Sequence, residues 1–128
     1  MAMRPPKGGI KNEMREKAMR EVILAQLGAL RADAGVEQVA CKDEYVGDYL
    51  TGKADALAVA MQMVESKALI ETMAHFLRHE ETRNMNMAES ARLCSKDTMA
   101  RLREGAAAGY MAASRVVTEV REENKCNE

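Results

Sequence analysis

The sequence predicts an all-α protein, built from an N-terminal helix and a long antiparallel helical hairpin with an internal pseudo-repeat. Aromatic residues make up only 3% of the chain, and Trp is absent, whereas Met occurs 11 times. Strands favour aromatic and β-branched residues, while Ala, Met, Leu, Glu, Lys and Arg favour helices. The only prolines, Pro5 and Pro6, precede the body of the chain, so none interrupts a helix there. A length of 128 residues fits one domain.

The first helix is predicted from Ile10 to Ala32, after a flexible basic tail over residues 1–9. Apolar residues recur at helical spacing through this segment. The helix is expected to close at Asp33–Gly35, because glycine commonly follows a helix end. Residues 36–41 fit either a connector or a short helical turn.

The second helix is predicted from Lys42 to about Glu81. Asp43 and Glu44 suit its start, because acidic side chains favour the positive end of the helix dipole. Two apolar stripes run along it, more than one neighbour can cover. The stripes are Leu50, Ala54, Leu57, Met61, Val64 and Ala68, and Ala56, Ala60, Met63, Ile70, Ala74 and Leu77.

The third helix is predicted to follow a turn at residues 82–86 and to run to about Glu123. Asn86 and Glu89 resemble a capping box at its start. A break with re-initiation at residues 95–97 stays open. The single helical domain is thus expected over residues 10–124, with a frayed tail at 125–128.

Residues 46–64 and 99–117 look like one motif written twice, 53 positions apart, with Gly52 aligned to Gly105. A glycine inside a helix costs about 1 kcal/mol relative to alanine. Gly52, Gly105 and Gly109 therefore indicate a close backbone approach, to a partner helix or alternatively to a ligand or another subunit.

A chain that folds back about residue 84 would give these motifs a definite register. In that arrangement, Gly52 lies opposite Val116, Gly105 opposite Met63, and Tyr110 opposite Ala58. Helices of this length would span about 60 Å, which one short helix cannot cover on both sides. The sequence therefore predicts a homo-oligomer, with Met61 on its outer stripe.

The net charge and the cysteine content indicate which partners and which cellular compartment to expect. The formal net charge is −1, with both signs interspersed, so nucleic acid is not an expected partner. Cys41, Cys94 and Cys126 are odd in number and widely spaced, which suits a reducing cytoplasm better than a disulfide framework. No segment has the apolar length of a secretion signal or a membrane span.

Candidate chemistry is confined to one helical face. Glu71, His75 and His79 follow one another at intervals of four residues and could share a metal ion. The spacing lacks the catalytic glutamate of the HExxH helix, and a solvated histidine pair is the competing interpretation. No catalytic triad or phosphate-binding loop is present, so we expect neither a cofactor nor an enzyme.

Two short segments resemble phage proteins. The segment from Tyr49 to Leu57 resembles a recurrent sequence motif in small helical accessory proteins of tailed phages. The run from Gly109 to Val117 is similar to a helix of the phage anti-CBASS sponges, which are helical oligomers that sequester cyclic oligonucleotides. This resemblance implies that Arg115 would hold phosphate groups at subunit junctions.

The function expected from these observations is a non-enzymatic, cytoplasmic protein–protein interaction module. It would act as a homo-oligomer and bind another protein, as a phage-encoded inhibitor or accessory protein. One alternative is a sponge that sequesters cyclic nucleotides at the notch formed by Gly105 and Gly109. The other is a metal-dependent helical enzyme that uses His75 and His79.

Overall fold

A computed structural model of the chain describes residues 9–126, with side chains from 13 to 125. Four helices make up this part, and no strand occurs in it: α1 (Gly9–Ala40), α2 (Glu44–Glu65), α3 (Ile70–Leu93) and α4 (Asp97–Cys126). The predicted all-α class is confirmed. Most of the predicted basic tail and the last two residues lie outside the described range. Within that range, no helix combines the length and apolarity needed to cross a membrane.

The predicted helix from 42 to 81 is in fact two helices, because α2 ends at Glu65. Lys67 adopts a left-handed backbone conformation with φ 63°. Its N–H donates to the carbonyl of Val64, and the N–H of Ala68 donates to that of Met63. These two bonds form a Schellman motif, which satisfies the last carbonyls of a helix.

The predicted turn at 82–86 is also wrong, because those residues lie inside α3. That helix ends at Leu93, and a second Schellman motif follows, with Ser95 at φ 59°. The Ser95 N–H donates to Arg92, and the Lys96 N–H donates to Ala91. The helix is therefore interrupted before Asp97, which is one of the two alternatives that the sequence left open.

The first helix is longer than predicted and passes through Gly35 to Ala40. Gly35 does not take the left-handed conformation that would close a helix, and its position has open space around it. The next helix, α2, begins after Asp43, whose carboxylate accepts a hydrogen bond from the Tyr45 N–H at 2.8 Å. Residues 36–40 are consequently helical, and only residues 41–43 form the connector.

Two helical hairpins make up the molecule, and they correspond to each other by position in the chain. The first helices of the hairpins end at Ala40 and Leu93, and the second helices begin at Glu44 and Asp97. Both pairs of positions are 53 residues apart, which is the spacing of the sequence repeat. The pseudo-repeat therefore extends from one helix to a complete hairpin.

The centre of the fold is the contact between α2 and α4. The first hairpin adds α1 against α2, and the second adds α3 against α4. Among the described residues, the backbones of α1 and α3 do not come close to each other, with no Cα–Cα distance of 8 Å or less. The largest fully buried side chains come from all four helices: Ile23, Leu27, Leu57, Val64, Met73, Leu77 and Val117.

The repeated glycines lie where α2 crosses α4. A Cβ atom at Gly52 would overlap the backbone carbonyl of Leu102, and a Cβ atom at Gly105 would overlap that of Tyr49. These two contacts are equivalent under the 53-residue spacing. Further along, a Cβ atom at Gly109 would come 2.6 Å from the carbonyl oxygen of Lys53.

This register differs from the predicted one. As the contact moves along α4 from Gly105 to Gly109, its partner in α2 moves from Tyr49 towards Ala56, so the two helices run in the same direction. The predicted pairings of Gly52 with Val116 and of Gly105 with Met63 are wrong, and that of Tyr110 with Ala58 loses its antiparallel basis. They assumed a single turn near residue 84, whereas an entire helix, α3, separates the two motifs.

Candidate functional site

A cleft between α2, α3 and α4 collects polar side chains that are far apart in sequence. Its volume is about 370 Å³. Polar residues on its walls are Asp55, Glu80, Arg83, Asn84, Arg103 and Tyr110. Small residues of the helix crossing, including Gly52 and Ala106, leave room for it.

Asn84 is the centre of the polar contacts in the cleft. This residue is only 2% exposed, and its amide nitrogen donates to the backbone carbonyl of Glu80 at 2.7 Å. Its side-chain oxygen accepts a hydrogen bond from the Arg103 guanidinium at 3.1 Å. The Glu80 carboxylate, with a side chain 12% exposed, is in turn paired with Arg83 at 3.1 Å.

Tyr110 places its ring in the core and its hydroxyl near this cluster. Burial raises the pKa of the Tyr110 phenol, and the negative charge of Glu80 raises it further, whereas Arg83 and Arg103 lower it. Within the described residues, the hydroxyl forms no hydrogen bond, although the residue is only 8% exposed. A protonated hydroxyl at this position is available as a hydrogen-bond donor.

The corresponding positions of the first hairpin are mainly leucines. Residues 53 positions before Glu80, Arg83, Asn84, Arg103 and Tyr110 are Leu27, Leu30, Arg31, Leu50 and Leu57. Leu27, Leu50 and Leu57 are buried. The same architecture is thus built with an apolar cluster in one half and a polar cluster in the other.

A second surface feature lies at the end of the molecule that carries the loops 41–43 and 94–96. Arg101 near the start of α4 pairs with Asp48 at 3.5 Å, and its guanidinium lies 4.6 Å from the centre of the Tyr45 ring. The starts of α2 and α4 are therefore neighbours, and both loops lie at the same end. We call residues 36–46 and 93–99 the loop end.

Exposed apolar side chains concentrate at the loop end. Val39 is 89% exposed and Leu93 82% exposed. Val36, Tyr45, Val46 and Met99 add to them, and together they are half of the large exposed apolar side chains in the described part of the chain. Single exposed apolar residues are ordinary, but a concentration of them marks an interaction surface.

The other predicted site residues lie elsewhere. Met61 is half-buried, and its terminal methyl lies 3.8 Å from a Cβ built at Gly28, so it packs between α1 and α2. Arg115 is exposed and lines a shallow depression with Arg78 and Ser114. The Thr118 hydroxyl in the same depression is buried without a hydrogen-bond partner.

The candidate metal ligands lie on the exposed side of α3. His75 is exposed, and His79 approaches the Glu80 carboxylate at 4.0 Å with most of its ring in solvent. Glu71 pairs with Arg121 at 3.8 Å. In the part of the chain with described side chains, no three or more His, Cys, Asp or Glu residues are placed to hold a metal ion.

Comparison of the chain with known protein families, with characterised proteins and with solved structures finds no match. The geometry of this chain is therefore the basis for inferring its function. Of the residues in the cleft, the sequence predicted Gly52 and Tyr110 as site residues. Glu80, Asn84 and Arg103 belong to no recognisable sequence motif.

Proposed function

We propose that the chain is a non-enzymatic helical interaction module that works as a homo-oligomer through its loop end. The observation that carries this proposal is the concentration of exposed apolar side chains around the loops 41–43 and 94–96. Burying such side chains against a partner releases about 25 cal/mol for each Å² of apolar surface. Charged residues within the loop end, including Lys42, Glu44 and Lys96, supply the polar rim that interfaces usually have.

A second copy of the chain is the proposed occupant of this surface. The two loops come from equivalent hairpins, and Val46 and Met99 are equivalent apolar positions within them. A surface with this internal correspondence suits a two-fold dimer, in which the same patch is used on both subunits. A role as a phage accessory or anti-defence protein, with a further protein partner, is part of the proposal and is supported only by the resemblance of two short segments.

The test is the solution mass of the full chain, measured by light scattering during size-exclusion chromatography. Val39→Glu combined with Leu93→Glu places charge at the loop end and should convert the oligomer to monomer. Leu69→Glu is the matched control, because Leu69 is also a largely exposed leucine but follows α2 at the opposite end. That variant should keep the wild-type mass.

A second comparison separates contact from metal chemistry. His75→Ala combined with His79→Ala should leave the mass and the binding of any partner unchanged, because both rings are exposed. A wild-type protein that is monomeric at micromolar concentration contradicts the proposal. So does a His variant that dissociates while the loop-end variant does not, and that result would return attention to the metal-dependent alternative.

A further inference from the structure

The polar cluster in the cleft is not required by the fold. Buried polar groups cost free energy unless all their hydrogen bonds are satisfied, and replacing them with well-packed apolar residues is often neutral or stabilising. The first hairpin shows which apolar residues fit, since Leu50 and Leu57 occupy the positions of Arg103 and Tyr110 and are buried. The second hairpin carries polar residues at the same places.

Two groups in the cleft have hydrogen-bonding capacity left over. The contact of the Arg103 guanidinium with Asn84 uses one of its N–H groups, and that partner is a neutral amide. Within the described residues, no carboxylate lies at ion-pair distance from Arg103. Tyr110 is a residue only 8% exposed, and its hydroxyl likewise has no hydrogen-bond partner there.

The remaining charges in the cleft define what would complement it. Arg83 and Glu80 neutralise each other at 3.1 Å. Asp55 is exposed at the wall of the cleft and places a negative charge at its mouth. The cleft thus holds a guanidinium without a carboxylate partner and a phenol hydroxyl, which are donors that oxyanions bind.

Apolar atoms form the rest of the wall. Val59 and Met99 are partly exposed there, and Leu102 lies beside them. A cleft of about 370 Å³ with this lining is within the size range of small-molecule sites. Its occupant should therefore carry an apolar group as well as the anion.

We propose that this cleft binds a small organic oxyanion, a phosphate or a carboxylate attached to an apolar group. The oxyanion accepts hydrogen bonds from Arg103 and Tyr110, and the apolar group lies against Met99 and Leu102. Asp55 at the mouth opposes negative charge and so limits the affinity for anions. Met99 also belongs to the loop end, whereas Arg103 and Tyr110 lie outside it, so variants of these two residues test the cleft separately from self-association.

Nuclear magnetic resonance titration of the full chain tests the proposal with three probes. Phenyl phosphate and benzoate share a ring and differ in the oxyanion, and inorganic phosphate lacks the ring. Phenyl phosphate or benzoate should give saturable shifts at Tyr110 with a Kd of about 1 mM or lower. The tighter of these two identifies the oxyanion, and inorganic phosphate should bind more weakly than phenyl phosphate.

Variants that copy the first hairpin provide the matched test. Arg103→Leu and Tyr110→Leu should each weaken the binding of the better probe by about tenfold or more, since each removes a donor to the oxyanion. Each should also lower the melting temperature modestly, because Arg103→Leu leaves the buried Asn84 oxygen without its donor and Tyr110→Leu removes volume from the core, so loss of binding is the decisive readout. Arg92→Leu is the control, because Arg92 pairs with Glu104 outside this cleft and its loss should not affect the titration.

Asp55→Asn should have the opposite effect and tighten the binding of the same probe. If Arg103→Leu does not fold, Arg103→Gln replaces it, because glutamine keeps an amide donor for Asn84 and removes the charge. The proposal is overturned if neither ring-bearing probe saturates. It is also overturned if the Arg103 and Arg92 variants bind equally well, or if Tyr110→Leu lowers the melting temperature and leaves binding unchanged, which would assign the cluster to stability alone.

Discussion

Alanine substitution at Gly105 should destabilise the protein, although alanine is the better helix former. The gain in helix propensity is about 1 kcal/mol. This gain is opposed by a steric cost, because the new Cβ would overlap the backbone carbonyl of Tyr49. The Lys53 backbone nitrogen is also only 3.0 Å from the same position. A backbone atom cannot rotate aside as a side chain can, so α2 and α4 would have to separate.

The size of the effect follows from these two terms. Overpacking in a core costs about 1–3 kcal/mol, and a backbone collision belongs at the upper end of that range. The net loss should therefore be about 2 kcal/mol. For a domain of this size, that loss lowers the melting temperature by about 6–10 °C.

Gly35→Ala is the matched control, because Gly35 is also inside a helix but has nothing within 4 Å of its Cβ position. This variant should gain up to about 1 kcal/mol. The two alanine variants should thus differ by about 3 kcal/mol in urea unfolding followed by circular dichroism. Gly52→Ala should resemble Gly105→Ala, because the two glycines make equivalent contacts.

An unfolding free energy for Gly105→Ala at or above the wild-type value would refute the parallel crossing of α2 and α4. Gly105→Leu is a stronger version of the same test. It should cost more than the alanine variant, and unchanged melting together with an unchanged solution mass would be equally damaging to this packing.

Two further outcomes are expected. Lys67→Gly and Ser95→Gly should each raise the unfolding free energy by about 0.5–1 kcal/mol. Both residues hold left-handed backbone conformations, which glycine adopts without a Cβ clash. A loss of stability in urea unfolding would show that the two side chains contribute more than the backbone strain costs. The raised pKa of Tyr110 means that the folded state retains the phenolic proton after the unfolded state has lost it, so stability should fall as the pH rises above about 10. Tyr110→Phe should reduce that loss, and an unchanged pH profile would assign it to other groups.

The pseudo-repeat could be predicted from the sequence because its signal is local. Gly52 and Gly105 sit in similar surroundings of small residues, and the cost of an interior glycine identifies a close helix contact without any knowledge of the fold. The turns could not be placed in the same way. Both Schellman motifs use ordinary residues, Lys67 and Ser95, where the rules expect glycine, and a true glycine at 35 stays inside a helix.

The cleft could not be predicted because its residues look like surface charges in the sequence. Glu80 and Arg83 are separated from Arg103 by a helix end and a loop, and their proximity follows only from the packing of α3 on α4. One sequence signal does exist in hindsight. Extending the 53-residue alignment beyond the glycine motif sets Leu27 against Glu80 and Leu50 against Arg103, so that an apolar residue of one half corresponds to a charged residue of the other.

The duplicated architecture also restricts how the chain can self-associate. Two separate hairpins could pair through the face that carries Gly52 and Gly105, since each glycine packs on the carbonyl that is equivalent to the other's partner. In this chain, that face is already buried between α2 and α4. A second copy must therefore bind elsewhere, and the parallel crossing brings the loops of both hairpins to one end, where Val39 and Leu93 are almost fully exposed. The loop end is consequently a surface that this fold leaves available for the proposed self-association.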